Sequence, residues 1–229
     1  MKDISLIAFD ADDTLWECQT YFEAVEKEYC ELLKSYASAD EISKALFAVE
    51  TANMPLLGYG SKAFLLSLLE NAIEVSGGRL KADEVEKIIK LGKELLQLPG
   101  KPMDGVEETL KMLRETGKYH LVVFTKGELL DQENKFHRSG LKPCFDDIIV
   151  VSDKTEVSYY QLCERFSINV EQLLMVGNSF RSDIEPVLKL GGWAAHIPFH
   201  TTWQHEVVEE YEHPHLLKLE YFTQLKQVL

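Results

Sequence analysis

Asp10, Asp12 and Asp13 place three carboxylates within four positions of the chain. They follow directly on a short apolar run, Ile4 to Phe9, of the kind that forms a buried strand. Carboxylates crowded at the end of such a strand repel one another and are costly to desolvate. A single aspartate there is explained as a turn residue or helix cap. Asp10 and Asp12 together are better explained by a bound divalent cation, and magnesium in particular is held by one or two carboxylates with water and phosphate oxygen. The chemistry to seek along the chain is therefore metal-assisted and acts on an anionic group.

The elements that must position these residues change character twice. After Trp16 the spacing is helical for about eighty residues. Tyr21 to Ala37 carries apolar residues at Phe22, Val25, Tyr29, Leu32, Leu33 and Tyr36. Ser38 with Glu41 forms a capping box that opens a second helix through Ile42, Leu46 and Val49, and Pro55, Gly58 and Gly60 break the chain after it. A third helix spans Ser61 to Val75, ended by Gly77-Gly78, and a fourth Ala82 to Leu96. Four consecutive helices read as a small separate bundle, and the turn-rich stretch Leu98 to Pro102 marks its exit.

From Val106 the pattern alternates. Helices at Val106–Thr116, Leu130–Ser139, Glu156–Phe166 and Ile184–Leu190 separate strands at His120–Thr125, Asp147–Ser152, Gln172–Gly177 and Trp193–Pro198. With Ile4–Phe9 this makes five strands of a doubly wound, Rossmann-like parallel sheet, an α/β core interrupted by a helical insertion. Residues 1–16 and 99–229 are expected to form the core domain, and 17–98 the inserted four-helix cap. The last stretch, His200 to Leu229, reads as surface loop and a closing helix.

Composition narrows the partners. The chain has 229 residues and a formal net charge of −14, which argues against nucleic acid, whose phosphates are held by clustered Lys and Arg. No apolar run approaches the roughly 20 residues of a membrane span, and no signal peptide is evident. Four scattered cysteines without C-x-x-C spacing suggest neither zinc nor a disulfide framework, so a cytoplasmic, reducing compartment is expected.

Ligands of doubly wound sheets bind beyond the carboxyl ends of the strands. Those ends carry Asp10 and Asp12, then Thr125 with Lys126 and Gly127, then Lys154, then Gly177, Asn178 and Ser179 with Asp183. Singly these are caps, loop cations or first-turn acids. Jointly they set an acid pair, a hydroxyl, a cation and a further acid along one edge of one sheet.

That series resembles the haloacid dehalogenase superfamily of hydrolases, most of them magnesium-dependent phosphatases. The resemblance rests on D-x-D-x-T at Asp10, Asp12 and Thr14, the strand-end Thr125, the basic Lys154 and the stretch GNSFRSD from Gly177 to Asp183. A helical insertion directly after the first motif is that family's cap of the first class. The resemblance implies Asp10 as nucleophile, Asp12 as general acid and base, and Lys154 as the neutralising cation. Thr125, Lys126 and Lys154 are implied for binding the phosphoryl group. Asp10, Asp12, Asn178 and Asp183, with the Ala11 carbonyl, are implied for holding Mg2+. The family usually has Asp where Asn178 stands. Asp13 is left as a turn residue, and Trp16 with the loop Pro55 to Ser61 as candidates for lining the cleft.

The motifs do not specify a substrate, but the acidic cap offers no basic cluster for a polyphosphate or nucleic acid, so a small phosphorylated metabolite is expected. Asp12 favours phosphoryl transfer over dehalogenation, since a halide leaving group needs no proton. A phosphomutase would share every motif. A phospho-receiver domain lacks the helical insertion, and a catalytically silent binding protein would be expected to have lost one of these residues.

Overall fold

The computed structural model describes residues 3–229. The chain divides into two compact units, one of Met1–Gln19 with Pro99–Leu229 and one of Thr20–Leu98.

In the first unit, β1 (Leu6–Phe9) is buried throughout and lies at the centre of a parallel sheet. β2 (His120–Lys126) and β4 (Leu173–Gly177) flank it, β3 (Asp147–Val151) lies beyond β2, and β5 (Trp193–His196) and β6 (Leu216–Lys218) lie beyond β4. The order β3-β2-β1-β4-β5-β6 is doubly wound. Apolar runs without polar alternation form these strands because helices cover both faces. Ile7, Phe9, Leu121, Val123, Leu174 and Val176 join one buried cluster, with Val106, Leu110 and Leu113 of α5 (Val106–Glu115) and Phe136 of α6 (Leu129–Ser139). Their alternate neighbours Leu6, Ala8, Val122, Phe124, Leu173 and Met175 join the other, with Tyr159 and Leu162 of α7 (Glu156–Phe166) and Val187 and Leu188 of α8 (Glu185–Lys189). Period-two alternation thus divides every central strand between two cores.

The register positions the site. Phe9 is paired with Val123 on one side and Val176 on the other, so Asp10, Phe124 and Gly177 come off the three central strands at one level. Asp10 N–H donates to the Val176 carbonyl at 2.9 Å, holding the chain extended one residue past β1.

Two features differ from the sequence expectation. The stretch after His200 contributes a sixth strand, β6, and Leu219 and Phe222, with Leu225 of the short α9 (Leu225–Val228), are buried in the core. A strand of three residues is too brief to show a period. Before α8 the chain makes a π-helical turn over Phe180–Ile184, which also shortens the helix expected from Ile184.

The second unit is a bundle of α1 (Gln19–Leu33), α2 (Ala39–Leu57), α3 (Ser61–Val75) and α4 (Ala82–Leu95). The capping box at its second helix is formed: Ser38 N–H donates to Glu41 Oε2 at 2.9 Å while Glu41 N–H donates to Ser38 Oγ. Pro55 lies inside α2 rather than ending it. It sits in the last turn, where its missing N–H costs one hydrogen bond and the helix runs on to Gly58, whose φ is 70°. Within the bundle, Tyr29 Oη donates to the Leu68 carbonyl at 2.9 Å or to Asn71 Oδ1 at 2.6 Å, and Phe22 packs on Phe64.

Asp13 adopts a left-handed φ of 62° and its carboxylate accepts from the backbone N–H of Cys18 at 2.8 Å and of Gln19 at 3.0 Å. Asparagine keeps both the acceptor and the tolerance of this conformation, whereas alanine keeps neither. Asp13→Ala is expected to lose about 1–2 kcal/mol of stability, Asp13→Asn less than half as much, as read from chemical denaturation midpoints.

Candidate active site

Lys154 is the hub of the strand ends. It follows β3, and its ammonium is buried, 2.5 Å from Asp10 Oδ1 and 2.6 Å from Asp183 Oδ1. The Phe124 ring lies 5.8 Å from the same nitrogen. Burial raises the Asp10 pKa, and the neighbouring Asp183 raises it further against the pull of Lys154, to about 7. Burial alone would discharge Lys154, but the two carboxylates overcome it and hold its pKa above the usual lysine value.

Asp183 reaches this position because the strand end before it has no side chain. A Cβ at Gly177 would lie 2.2 Å from Asp183 Oδ2, so only glycine lets that carboxylate fold over the end of β4. Ser179 N–H donates to the same oxygen at 3.0 Å. From the opposite side the Tyr159 hydroxyl reaches the Ser182 and Asp183 carbonyls at 3.0 and 3.2 Å.

Thr14 joins the first and fourth motifs. Its hydroxyl lies 3.2 Å from both Asp10 Oδ2 and Asn178 Oδ1, and donates to one of them at a time. Asn178 is thus brought to the Asp10 cluster. Its backbone carbonyl is 3.0 Å from His196 Nε2 at the end of β5.

Asp12 occupies a separate group of donors. Lys135 Nζ lies 2.7 Å from each of its oxygens, Gln132 Nε2 donates to Oδ2 at 2.8 Å, and Trp16 Nε1 donates to Oδ1 at 2.8 Å. Burial works to raise the Asp12 pKa, but Lys135 and these hydrogen bonds outweigh it and hold the carboxyl below its usual range. Trp16 is fully buried, so it serves Asp12 and does not line a cleft. Neither Gln132 nor Lys135 stood out in the sequence. Their signal is the stripe Gln132, Lys135, Phe136 and Ser139 on α6, polar positions lying on a helix face that proves buried.

The remaining expected residues are placed as follows. Thr125 is buried at the end of β2, one residue past the level of Asp10, paired with Val150. The Lys126 ammonium is held by Glu206 and, at 2.9 Å, by Ser182 Oγ, so this lysine is engaged in a protein contact rather than solvated. The Ala11 carbonyl accepts from Leu15 N–H at 2.8 Å, with Thr14 and Trp16 N–H at 3.4 Å, which closes the turn. Among the described residues no three His, Cys, Asp or Glu side chains cluster as a metal site. Of the expected cation ligands, Asp10 and Asp183 meet at Lys154, Asn178 is joined to Asp10 through Thr14, and Asp12 stands apart with Lys135.

The site thus joins a paired-acid loop, a buried lysine and a further acid past β4 at one edge of a doubly wound sheet. Residues 4–191 match the haloacid dehalogenase-like hydrolase family, and the chain belongs to it. A haloacid dehalogenase-like family hydrolase from Xanthomonas campestris is 34% identical over 99% of this chain and 90% of its own, with a TM-score of 0.89. A protein described as a predicted phosphoglycolate phosphatase from Haemophilus somnus shares the fold at 18% identity, covering 100% and 99% of the two chains, TM-score 0.64. So does YfnB of Bacillus subtilis, solved bound to magnesium, at 16% identity over 99% of each chain, TM-score 0.65. No curated protein matches the chain significantly. No helix of the described residues is long and apolar enough to cross a membrane.

Gly177→Ala tests the close approach at β4. Overpacking of about 1–3 kcal/mol is expected. The displacement of Asp183 is expected to abolish any magnesium-induced rise in melting temperature that the parent protein gives, which differential scanning fluorimetry would read.

Proposed function

We propose that the protein is a magnesium-dependent phosphatase of small phosphomonoesters, acting through a phosphoryl group carried on Asp10. The observation that supports this most directly is the separation of two carboxylates. Asp10 shares a buried ammonium with Asp183, while Asp12, two residues on, is gripped by its own set of donors. A nucleophile and a proton carrier need this difference in environment.

Asp10 and Asp183 oppose two carboxylates to one ammonium, leaving surplus negative charge among oxygen donors, a set suited to a hard cation. Asp10, Asp183 and Asn178 would hold magnesium, which when bound supplies positive charge against the repulsion between carboxylate and phosphate dianion. The protein's own residues do the rest. An Asp10 oxygen attacks phosphorus in line, forming the Asp10–phosphorus bond as the bond to the leaving oxygen breaks. Lys154 orients the nucleophile and offsets charge on the phosphoryl oxygens. The Thr125 hydroxyl and the Lys126 amide, at the β2 turn, bind those oxygens.

Asp12 then takes a proton from the water that hydrolyses the phosphoryl-aspartate, the role its ionised state beside Lys135 suits. To protonate the leaving oxygen in the first step it must leave Lys135 and gain a proton. The same residue argues against the dehalogenation after which the family is named, since a departing halide takes no proton. A phosphomutase would use the same groups and differ by returning the phosphoryl group to the substrate. The free, buried Cys18, Cys30, Cys144 and Cys163 suit a reducing compartment such as the cytoplasm.

Magnesium-dependent release of phosphate from a generic aryl phosphate is the expected activity, abolished by chelation and reduced by about four orders of magnitude or more in Asp10→Asn. Undiminished turnover in that variant would remove Asp10 as nucleophile. For Asp12→Asn the expected result is a penalty of about 10²–10⁴-fold that grows as the leaving group becomes more basic. A penalty independent of the leaving group would take the acid role away from Asp12.

A further inference from the structure

Glu206 lies in a one-turn 3-10 segment, Gln204–Glu206, far along the chain from every motif of the site, yet it is almost wholly buried. Its carboxylate accepts from three donors on two other elements. Lys126, at the end of β2, forms an ion pair with one oxygen. Ser179 Oγ and, at 2.6 Å, Ser182 Oγ both donate to the other. Lys126 Nζ is in turn 2.9 Å from Ser182 Oγ. These serines flank the turn that delivers Asp183. Ser182 N–H donates to Ser179 Oγ at 3.0 Å, and Ser179 N–H donates to Asp183 Oδ2 at 3.0 Å. On its other side Lys126 is fixed through its carbonyl, which accepts from Gln132 Nε2 at 2.9 Å, the same nitrogen that donates to Asp12.

A buried carboxylate is retained at a cost unless its partners are well placed. Here the partners belong to the two turns whose spacing matters most. We propose that Glu206 is a positioning residue that ties the end of β2, bearing Thr125 and Lys126, to the turn after β4, bearing Asn178 and Asp183. It thereby sets the distance between the phosphoryl-binding and cation-binding sides of the site. β2 and β4 are not neighbours in the sheet, since β1 separates them. Their ends need a link outside the sheet's own hydrogen bonds, and Glu206 with its three donors is such a link. This inference rests on the phosphatase reading for what the spacing is used for, though not for the link itself.

Glu206→Gln keeps the shape and removes the charge that holds Lys126. Ser182→Ala removes one donor and leaves every charge in place, so it serves if the first variant folds poorly. Hydrogen–deuterium exchange and magnesium titration followed by melting temperature and by aryl phosphate turnover would be compared with the parent. Faster exchange is expected in both segments together, residues 125–128 and 178–184, with exchange in the helical bundle unchanged. The magnesium concentration at half-maximal response is expected to rise about tenfold in Glu206→Gln and less in Ser182→Ala.

Exchange that rises in one segment only, or in neither, would overturn the link. Faster exchange in both with a magnesium midpoint within about twofold of the parent would make Glu206 merely structural and overturn the positioning role. A parent protein that shows neither magnesium response nor phosphate release would sink the phosphatase reading instead. The exchange comparison would then still decide whether Glu206 joins the two turns.

Discussion

Everything at the strand ends depends on one buried ammonium, that of Lys154, being shared by two carboxylates from different strands. Asp10 follows β1 and Asp183 follows β4, and neither could be buried beside the other without the cation between them. The arrangement is incomplete as a charge balance, two negative against one positive. Burial, with the neighbouring Asp183 added to it, raises the Asp10 pKa to about 7 against the pull of Lys154.

The sheet makes this arrangement possible at little additional cost. The register of β1 with β4 brings Asp10 and Gly177 to one level while β2 runs on to Lys126, and glycine at the end of β4 leaves room for Asp183 to lie across it. Around this centre lie two further lysines, each committed to a carboxylate: Lys135 to Asp12 and Lys126 to Glu206. Each ion pair fixes one functional loop against an element distant in sequence. The active loops are therefore held by charge where their backbones have left the hydrogen bonding of the sheet.

Much of this was legible in the sequence because it resides in local pattern. Apolar runs marked the five longer strands, and polar residues immediately after them marked Asp10, Asp12, Thr125, Lys154 and Asp183. What escaped was whatever depends on contacts across many residues. Lys135 and Gln132 look like ordinary polar positions of an amphipathic helix until α6 is seen to turn that face inward to Asp12. Glu206 is one acid among many in a charged tail, and nothing in its neighbours shows that it is buried. β6 is too short for periodicity to speak. Trp16 and the Ala11 carbonyl show the opposite limit, since both lie inside a recognisable motif and yet their partners, Asp12 for the indole and Leu15 N–H for the carbonyl, are decided by the closed turn.

The wide π-helical turn at Phe180–Ile184 has an implication for how this protein can change over time. A π turn holds one residue more than the α-helical turn it replaces. Loss of a single residue there would restore regular winding but take one of the five consecutive residues Phe180–Ile184 out of its present place. Phe180 and Ile184 would then leave the apolar cluster, or Ser182 and Asp183 would leave their polar partners. Four of its five residues, Phe180, Ser182, Asp183 and Ile184, are buried, so a change of length there displaces a packed or hydrogen-bonded side chain.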